Sequence, residues 1–432
     1  MALDIGERNR FVVDANSAVC FKLIRREIDI IGTNNAFHPD FSHQFFGQNE
    51  TIYGYTDLRV KLYYAACTLD IYLALSYDQK VNPKTADAVQ ADDIVSIVGK
   101  TLPSSFCTNS DSFLALLPKQ HEFRPFGQML HAYDFEHGSE KKRFEIYKVN
   151  ESTPAFVSYF EKMQTFALWF IDAASYIDMD DPLWNYYVMY EKFKDDDGQT
   201  CYAFCGYSCV YHYYAYPEHI RPRIGHILIL PPFQKRGNGV QLLQAIYNDL
   251  VPNPKIIDIT AEDPSDNFIL LRDFVDSVNC SRLANYQPAE LKKGFSKAMI
   301  DEARAKLKMT KKQARRVYEI LRFKHLNAGD ANEFKQFRLE IKRRLYAPFQ
   351  KDKRDWSKIR KALNEQELAA TAAVQMSVEQ RMQTLQKQFE ETLDVYRITL
   401  NKVIDVIGRR NVIWVSKGFP HRALPIVRTL AD

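Results

Sequence analysis

The stretch that most restricts the fold runs from Arg221 to Leu250, RPRIGHILILPPFQKRGNGVQLLQAIYNDL. An apolar β-type run, Ile224 to Leu230, leads through Gln234-Lys235-Arg236-Gly237-Asn238-Gly239 into a helical pattern from about Val240. A strand feeding a glycine turn and then a helix needs a sheet to lie in and a layer in which the helix can pack, so the chain reads as a mixed fold. In such a turn, successive main-chain N–H groups open onto the positive end of a helix and form a concavity suited to a pyrophosphate. Gly237 and Gly239 let the backbone approach closely, and Lys235 and Arg236 add charge. The turn is not a Walker loop, which needs Gly-Lys-Ser/Thr, nor the dinucleotide G-x-G-x-x-G. Taken alone it also fits a purely structural turn.

Around it the chain divides into blocks. Residues 1–121 mix short β-rich runs, Thr51 to Tyr55 and Val60 to Leu75, with polar turns and a Pro/Ser link at Leu102 to Phe106. Residues 122–280 hold a strand-like Arg143 to Lys148 and an amphipathic helix expected over Pro154 to Ala174, with Phe156, Phe160, Phe166, Leu168, Trp169 and Phe170 on its apolar face. Two aromatic strands follow, Tyr186 to Phe193 and Thr200 to Tyr214, joined by the hairpin turn Lys194-Asp195-Asp196-Asp197-Gly198. Past the glycine turn come a strand, Lys255 to Thr260, and a helix entering at Ser265. Residues 281–411 read as helical: Lys311 to Phe323, Asn332 to Leu345, and about Asn364 to Ile407. In the last of these Met382, Leu385, Phe389, Leu393, Tyr396, Leu400 and Val403 recur every three or four positions. Residues 412–432 return to short apolar text with no role assigned. The fold class expected is α+β: an N-terminal α+β domain, a central mixed sheet with flanking helices, and a C-terminal helical domain.

A length of 432 residues with 46% apolar and 13% aromatic residues excludes a disordered chain and fits two to three domains. The formal charge of +4 is too small to name a partner, but its distribution is uneven. Leu291 to Lys361 holds 23 basic and 8 acidic residues, net +15, so the rest of the chain is at −11. Glu161 to Gln199 has nine carboxylates against three lysines. An odd count of seven scattered cysteines reads as reduced intracellular thiols. The start, MALDIGERNR, carries no apolar signal region, and the most hydrophobic stretch, Leu62 to Tyr77, is too short to span a membrane and contains Asp70. Nucleus and cytoplasm are the expected compartments. Cys201, Cys205 and Cys209 lie on a predicted strand, where four residues cover ~13 Å, too far to share a zinc ion. With neither H-E-x-x-H nor G-x-S-x-G present, no metal and no acyl-enzyme are expected.

Q-x-x-G-x-G between a strand and a helix resembles the acetyl-coenzyme A motif of the GCN5-related N-acetyltransferase superfamily. Two more blocks narrow the likeness: IDITAEDPS, Ile257 to Ser265, followed by Leu271-Arg272-Asp273-Phe274, and QARRVYEILR, Gln313 to Arg322. Both are similar to the catalytic subunits of type B histone acetyltransferases. Gln164-Thr165-Phe166, Phe170-Ile171 and Phe45-Phe46-Gly47 extend the match over most of the chain to about Arg397. The resemblance implies direct transfer of acetyl from acetyl-coenzyme A to lysine ε-amines in the N-terminal tail of newly made histone four, ahead of chromatin assembly. It also implies as partners histone three, alongside histone four, and a WD-repeat histone chaperone of the retinoblastoma-binding type. No membrane partner and no direct nucleic-acid binding are expected.

By resemblance, Glu262 is the general base, since a lysine of pKa about 10.4 must lose a proton before it attacks a thioester. Asp263 and Asp172, the latter in place of a family glutamate on the earlier helix, are secondary candidates. The coenzyme is assigned to Ile227, Leu228 and Ile229, to the loop Gln234, Lys235, Arg236, Gly237, Asn238, Gly239 and Val240, and to Ser265 and Phe268. Ser265 and Phe268 read equally well as a helix cap and a core side chain. The histone tail is assigned to Glu50, in Gln48-Asn49-Glu50, and to Tyr211, His212 and Tyr213, whose tyrosines also suit a strand core. The N-terminal domain, 1–121, would contribute to that groove. Two other functions stay open on sequence: an N-acetyltransferase for another amine, and a non-catalytic histone- or chromatin-binding module.

Overall fold

The computed structural model describes residues 9–32, 34–82, 89–137, 140–150, 153–327, 329–359 and 377–408. The segment from Val412 and the first part of the expected last helix lie outside the described residues.

The N-terminal part is built on a three-stranded sheet of β1 (Val19–Ile24), β2 (Arg59–Ala65) and β3 (Ile71–Ser76), with β1 parallel to β2 and β2 antiparallel to β3. The run Val60 to Leu75 is thus a hairpin, turned where Leu69 takes a left-handed φ of 55°.

The central sheet contains β4 (Gln128–His137), β5 (Glu140–Val149), β6 (Trp184–Lys194), β7 (Thr200–Ala215), β8 (His219–Ile229) and β9 (Thr260–Ala261). Its strands lie in the order β9-β8-β7-β6-β5-β4, antiparallel except for the parallel β8–β9 pair. Strand β4 has no counterpart in the sequence reading, because its alternation of Tyr133 and Phe135 with Asp134 and Glu136 is hidden among charged residues. Aromatic side chains weld the two sheets: Phe166 lies 4.2 Å from Tyr64 and 5.8 Å from Phe204 between ring centroids. One apolar core therefore runs from Ala15 to Val278 and takes in Val403, across the expected boundary near residue 121.

Two local expectations change. The helix expected over Pro154 to Ala174 is α1 (Pro154–Met163), then a tight turn Gln164–Phe166 and a short helical turn Ala167–Phe170. Ile171 is extended and Ala173 left-handed, φ 52°, and the Gln164 carboxamide oxygen accepts the N–H of Ile177, which folds the chain back. Asp172 therefore follows the helix instead of lying on it. The strand expected over Lys255 to Thr260 shrinks to Thr260–Ala261 with one bridge at Ile256, because Ile259 gives its N–H to Lys308 and not to a strand.

Helix α2 (Asn238–Leu250) follows the glycine turn, and α3 (Asp266–Cys280) is capped by Ser265. The C-terminal part comprises α4 (Lys297–Leu307), α5 (Lys311–Lys324), α6 (Ala331–Ile359) and α7 (Val378–Gly408). Helix α6 runs beyond the expected Leu345, where the apolar periodicity ends but charged helix-forming residues continue. The stripe Leu385, Phe389, Leu393, Tyr396, Leu400 and Val403 is buried as its period requires, whereas Met382 is exposed. Buried Glu319 ties three helices together: it accepts from Arg344 Nε and Nη2 at 2.8 Å, from Tyr396 at 2.8 Å and from Arg315 at 3.2 Å. Several cations of the basic stretch are thus committed to internal carboxylates. No helix among the described residues is long and apolar enough to cross a membrane.

Candidate active site

The β7–β8 ladder runs Cys209 against His226 and then Val210 against Ile224, which leaves Gly225 as an extra residue on β8. A Cβ at Gly225 would stand 3.2 Å from the Trp184 ring, so the bulge packs tightly. The bulge also reverses the alternation of main-chain groups. On its near side Ile224 O accepts Glu262 N–H at 2.9 Å from the β9 side. On its far side His226 O accepts Ser208 Oγ, and Leu230 N–H donates to Cys205 O, both toward β7. Ile227 and Ile229 therefore turn their main-chain groups to the opposite edge. There β9 pairs only with Arg223 and Ile224. The edge at Ile227 to Ile229 has no strand partner among the described residues.

The glycine turn faces this part of β8. Gln234 Nε2 donates to Ile229 O at 2.8 Å. Lys235 and Gly237 are left-handed, with φ of 60° and 79°, and Gly237 is the N-cap of α2 without any side-chain cap. The first N–H groups of α2, at Asn238, Gly239 and Val240, are thereby left to a ligand or solvent. The Asn238 side chain is structural: it donates to Phe233 O at 2.9 Å and accepts from Tyr133 at 2.5 Å. Arg236 lies 5.7 Å from the Phe135 ring centroid. A Cβ on Gly239 would meet Leu271 at 3.3 Å, whereas one on Gly237 would meet nothing, so Gly237 is required for its φ. Ser265 and Phe268 take the roles of helix cap and buried apolar residue.

Glu262 directly follows β9, with its carboxylate half exposed and 3.7 Å from Arg223. The Arg223 guanidinium lies 4.6 Å from the Tyr213 ring centroid, Tyr213 is 4.5 Å from Tyr211, and Tyr211 donates to Asp181 at 2.9 Å. Trp184 closes the row edge-on to Tyr211 at 4.9 Å. Carboxylate, arginine, two tyrosines and aspartate thus form one continuous row. His212 does not join it: strand alternation turns it to the other face, where burial and the nearby Lys148 hold its pKa below the ordinary value. Asp263 follows Glu262 with a left-handed φ of 28°.

Asp172 belongs to a second cluster, 3.5 Å from His43, which is 3.8 Å from Glu50. Glu50 is engaged within its own loop, accepting N–H groups from Ser42 at 2.6 Å and His43 at 3.0 Å and the Asn16 amide at 2.8 Å. The Ser42 main-chain N–H, followed by these other partners, holds its carboxyl below the usual range. Arg223, Trp184 and the Tyr211–Asp181 bond escape a reading of the sequence alone. Register would have found the first, since Arg223 pairs directly with Tyr211 across the β7–β8 ladder.

The family model for the N-terminus of histone acetyl transferase HAT1 matches residues 11–172, and that for the C-terminal part of the histone acetyltransferase type B catalytic subunit matches residues 272–323. The histone acetyltransferase type B catalytic subunit of Homo sapiens is 40% identical over 392 residues, covering 90% of this chain and 93% of the relative. The chain belongs to this family. It is an acetyltransferase, a type B histone acetyltransferase catalytic subunit by family. The Mus musculus subunit is 39% identical over 90% of this chain and 94% of its own length. One from Dictyostelium discoideum is 36% identical over 72% of this chain and 67% of its own. Neither family model includes residues 173–271, so the open strand edge, the glycine turn and Glu262 of this acetyltransferase lie between the two matched blocks.

Proposed function

We propose that this acetyltransferase moves acetyl from acetyl-coenzyme A directly to lysine ε-amines in the tail of free histone four, ahead of chromatin assembly. The observation that carries the reading is the convergence at β8 of an unpaired strand edge, an uncapped helix N-terminus and a carboxylate that begins an aromatic row. The edge and the α2 N-terminus offer main-chain donors to an elongated ligand with a phosphate group, which fits coenzyme A and the GCN5-related superfamily. The coenzyme supplies the acetyl group as a thioester.

Glu262 removes the proton from the incoming ammonium, helped by its exposure at the end of the row. The outward N–H groups of Ile227 and Ile229 can donate to the thioester oxygen as charge develops on it. Tyr211 and Tyr213 offer flat faces to an aliphatic lysine stem, and Asp181 adds charge complementary to a basic tail. A WD-repeat chaperone of the retinoblastoma-binding type, holding histone four with histone three, would raise the effective concentration of a disordered tail at the site. Action on new histones is consistent with residence in both cytoplasm and nucleus.

The deciding experiment is radiolabelled acetyl transfer to free histones and to assembled nucleosomes by wild type and Glu262→Gln. Free histone four is expected to be the preferred acceptor. The variant should lose roughly 100-fold or more in kcat and keep its calorimetric affinity for acetyl-coenzyme A. Preference for nucleosomes would overturn the substrate reading. A variant with wild-type turnover would overturn the base assignment.

A further inference from the structure

Glu262 directly follows a strand of only two residues, Thr260–Ala261, and among the described residues its side chain forms one ion pair, the 3.7 Å approach of Arg223. Its position is therefore decided by the backbone that leads into it. That backbone is anchored at Ile259, which is 1% exposed. Ile259 N–H donates to Lys308 O at 2.8 Å, from the left-handed residue that ends α4. Ile259 O accepts from Arg272 Nη2, also at 2.8 Å. Both main-chain groups of the residue three before the base are thus held by groups outside the sheet.

Arg272 is seated for this contact. Its side chain is 13% exposed, with Nε 3.5 Å from Asp276 one turn along α3. Helix α3 is tied to α2, the helix that presents the glycine turn, where Asn279 Nδ2 donates to Gln244 Oε1 at 3.0 Å. Asp276 also accepts Gln313 Nε2 at 2.9 Å, and neighbouring Asp273 accepts Arg316 Nε at 2.6 Å. A buried guanidinium that serves a carboxylate on one side and a main-chain carbonyl on the other needs the planar fork of arginine. The ammonium of a lysine is a single point on a shorter reach.

We infer that Arg272 is a positioning residue for the acetyl-transfer step: through Ile259 it fixes the backbone that places Glu262. The Lys308 carbonyl completes the clamp and gives the C-terminal helices a part in setting the base. The inference rests on the reading of Glu262 as the base.

The test is a kinetic cycle of wild type, Glu262→Gln, Arg272→Lys and the double variant, with calorimetric acetyl-coenzyme A binding and a thermal melt for each. Arg272→Lys should lower kcat about 10- to 100-fold, the scale for a catalytic group displaced by about 1 Å. The KM for the histone peptide and the coenzyme affinity should stay within about twofold of wild type. In the Glu262→Gln background the same change should cost almost nothing more, because its effect passes through the missing carboxylate. If Arg272→Lys does not fold, Arg272→Gln/Asp276→Asn, which removes the buried charge pair together, is read in the same way. Wild-type kcat in the folded Arg272 variant, or fully additive losses in the double variant, overturns the positioning role. Wild-type turnover of Glu262→Gln overturns instead the base reading on which it rests.

Discussion

Glu50 lies in the loop that follows Phe45-Phe46-Gly47, and its carboxylate accepts two main-chain N–H groups and an amide of the same neighbourhood. The residue therefore shapes the wall near Asp172 before it offers charge to a substrate. Its folded pKa is depressed, so the stability it contributes is present above the ordinary glutamate pKa of about 4.3 and is lost as pH falls through the lower folded value. Glu50→Gln should melt below wild type at pH 7, and the gap should narrow as pH drops below about 4; a gap constant with pH in thermal melts would assign the effect to shape alone. His212, in contrast, is turned away from the tyrosine row. His212→Phe should leave the KM for a histone peptide nearly unchanged, whereas Tyr211→Ala should raise it several-fold in steady-state assays.

At the level of elements, the glycine turn works by conformation more than by empty space. Gly237 caps α2 with a φ of 79°, in a place where an added Cβ would touch nothing. Gly237→Val should cost about 1–2 kcal/mol of backbone strain, or relax the turn and turn the α2 N–H groups away from the ligand. Acetyl-coenzyme A affinity by calorimetry should fall accordingly. Gly237→Asn, which tolerates a left-handed backbone, should retain most of it. Equal losses in both variants would mean that space beside the ligand, and not φ, is the requirement. The Gly225 bulge is the companion device, since one extra residue on β8 turns Ile227 and Ile229 outward.

Across the whole molecule, buried charge joins α3 to the C-terminal helices. Asp276 is pushed up to about 6 by burial despite Arg272 beside it. Glu319, 1% exposed, holds α5, α6 and α7 together. Glu319→Ala leaves two arginines without their carboxylate and should destabilise by about 3 kcal/mol, read as a shifted urea midpoint; no shift would show the triad to be replaceable by packing. Asp181 of the row, with Asp178 and Asp180 close in sequence, belongs to a chain segment of net negative charge. Rates on full-length histone four should therefore fall as salt shortens the Debye length below about 8 Å, and the chaperone should offset part of that loss. Rates indifferent to both would remove the steering account and leave the chemistry intact.

Much of the architecture was legible because it is written in short periods. The strand–turn–helix at Arg221 to Leu250, the aromatic hairpin and the stripe from Leu385 to Val403 each repeat on the scale of a few residues, and burial followed that repeat. The likeness that led to Glu262 and the glycine turn was equally local, carried by contiguous motifs. What the tertiary structure alone decided depends on register and on contacts far apart in sequence. The pairing of Tyr211 with Arg223, the reversal at Gly225 and the commitment of Glu50 to Ser42 and His43 are of this kind. So is the holding of Ile259 by Arg272 and Lys308. A one-residue shift in a strand exchanges its faces and edges, and a main-chain carbonyl leaves no mark in composition. The sequence could therefore propose which groups do the chemistry, while only the folded chain determines which neighbours hold them.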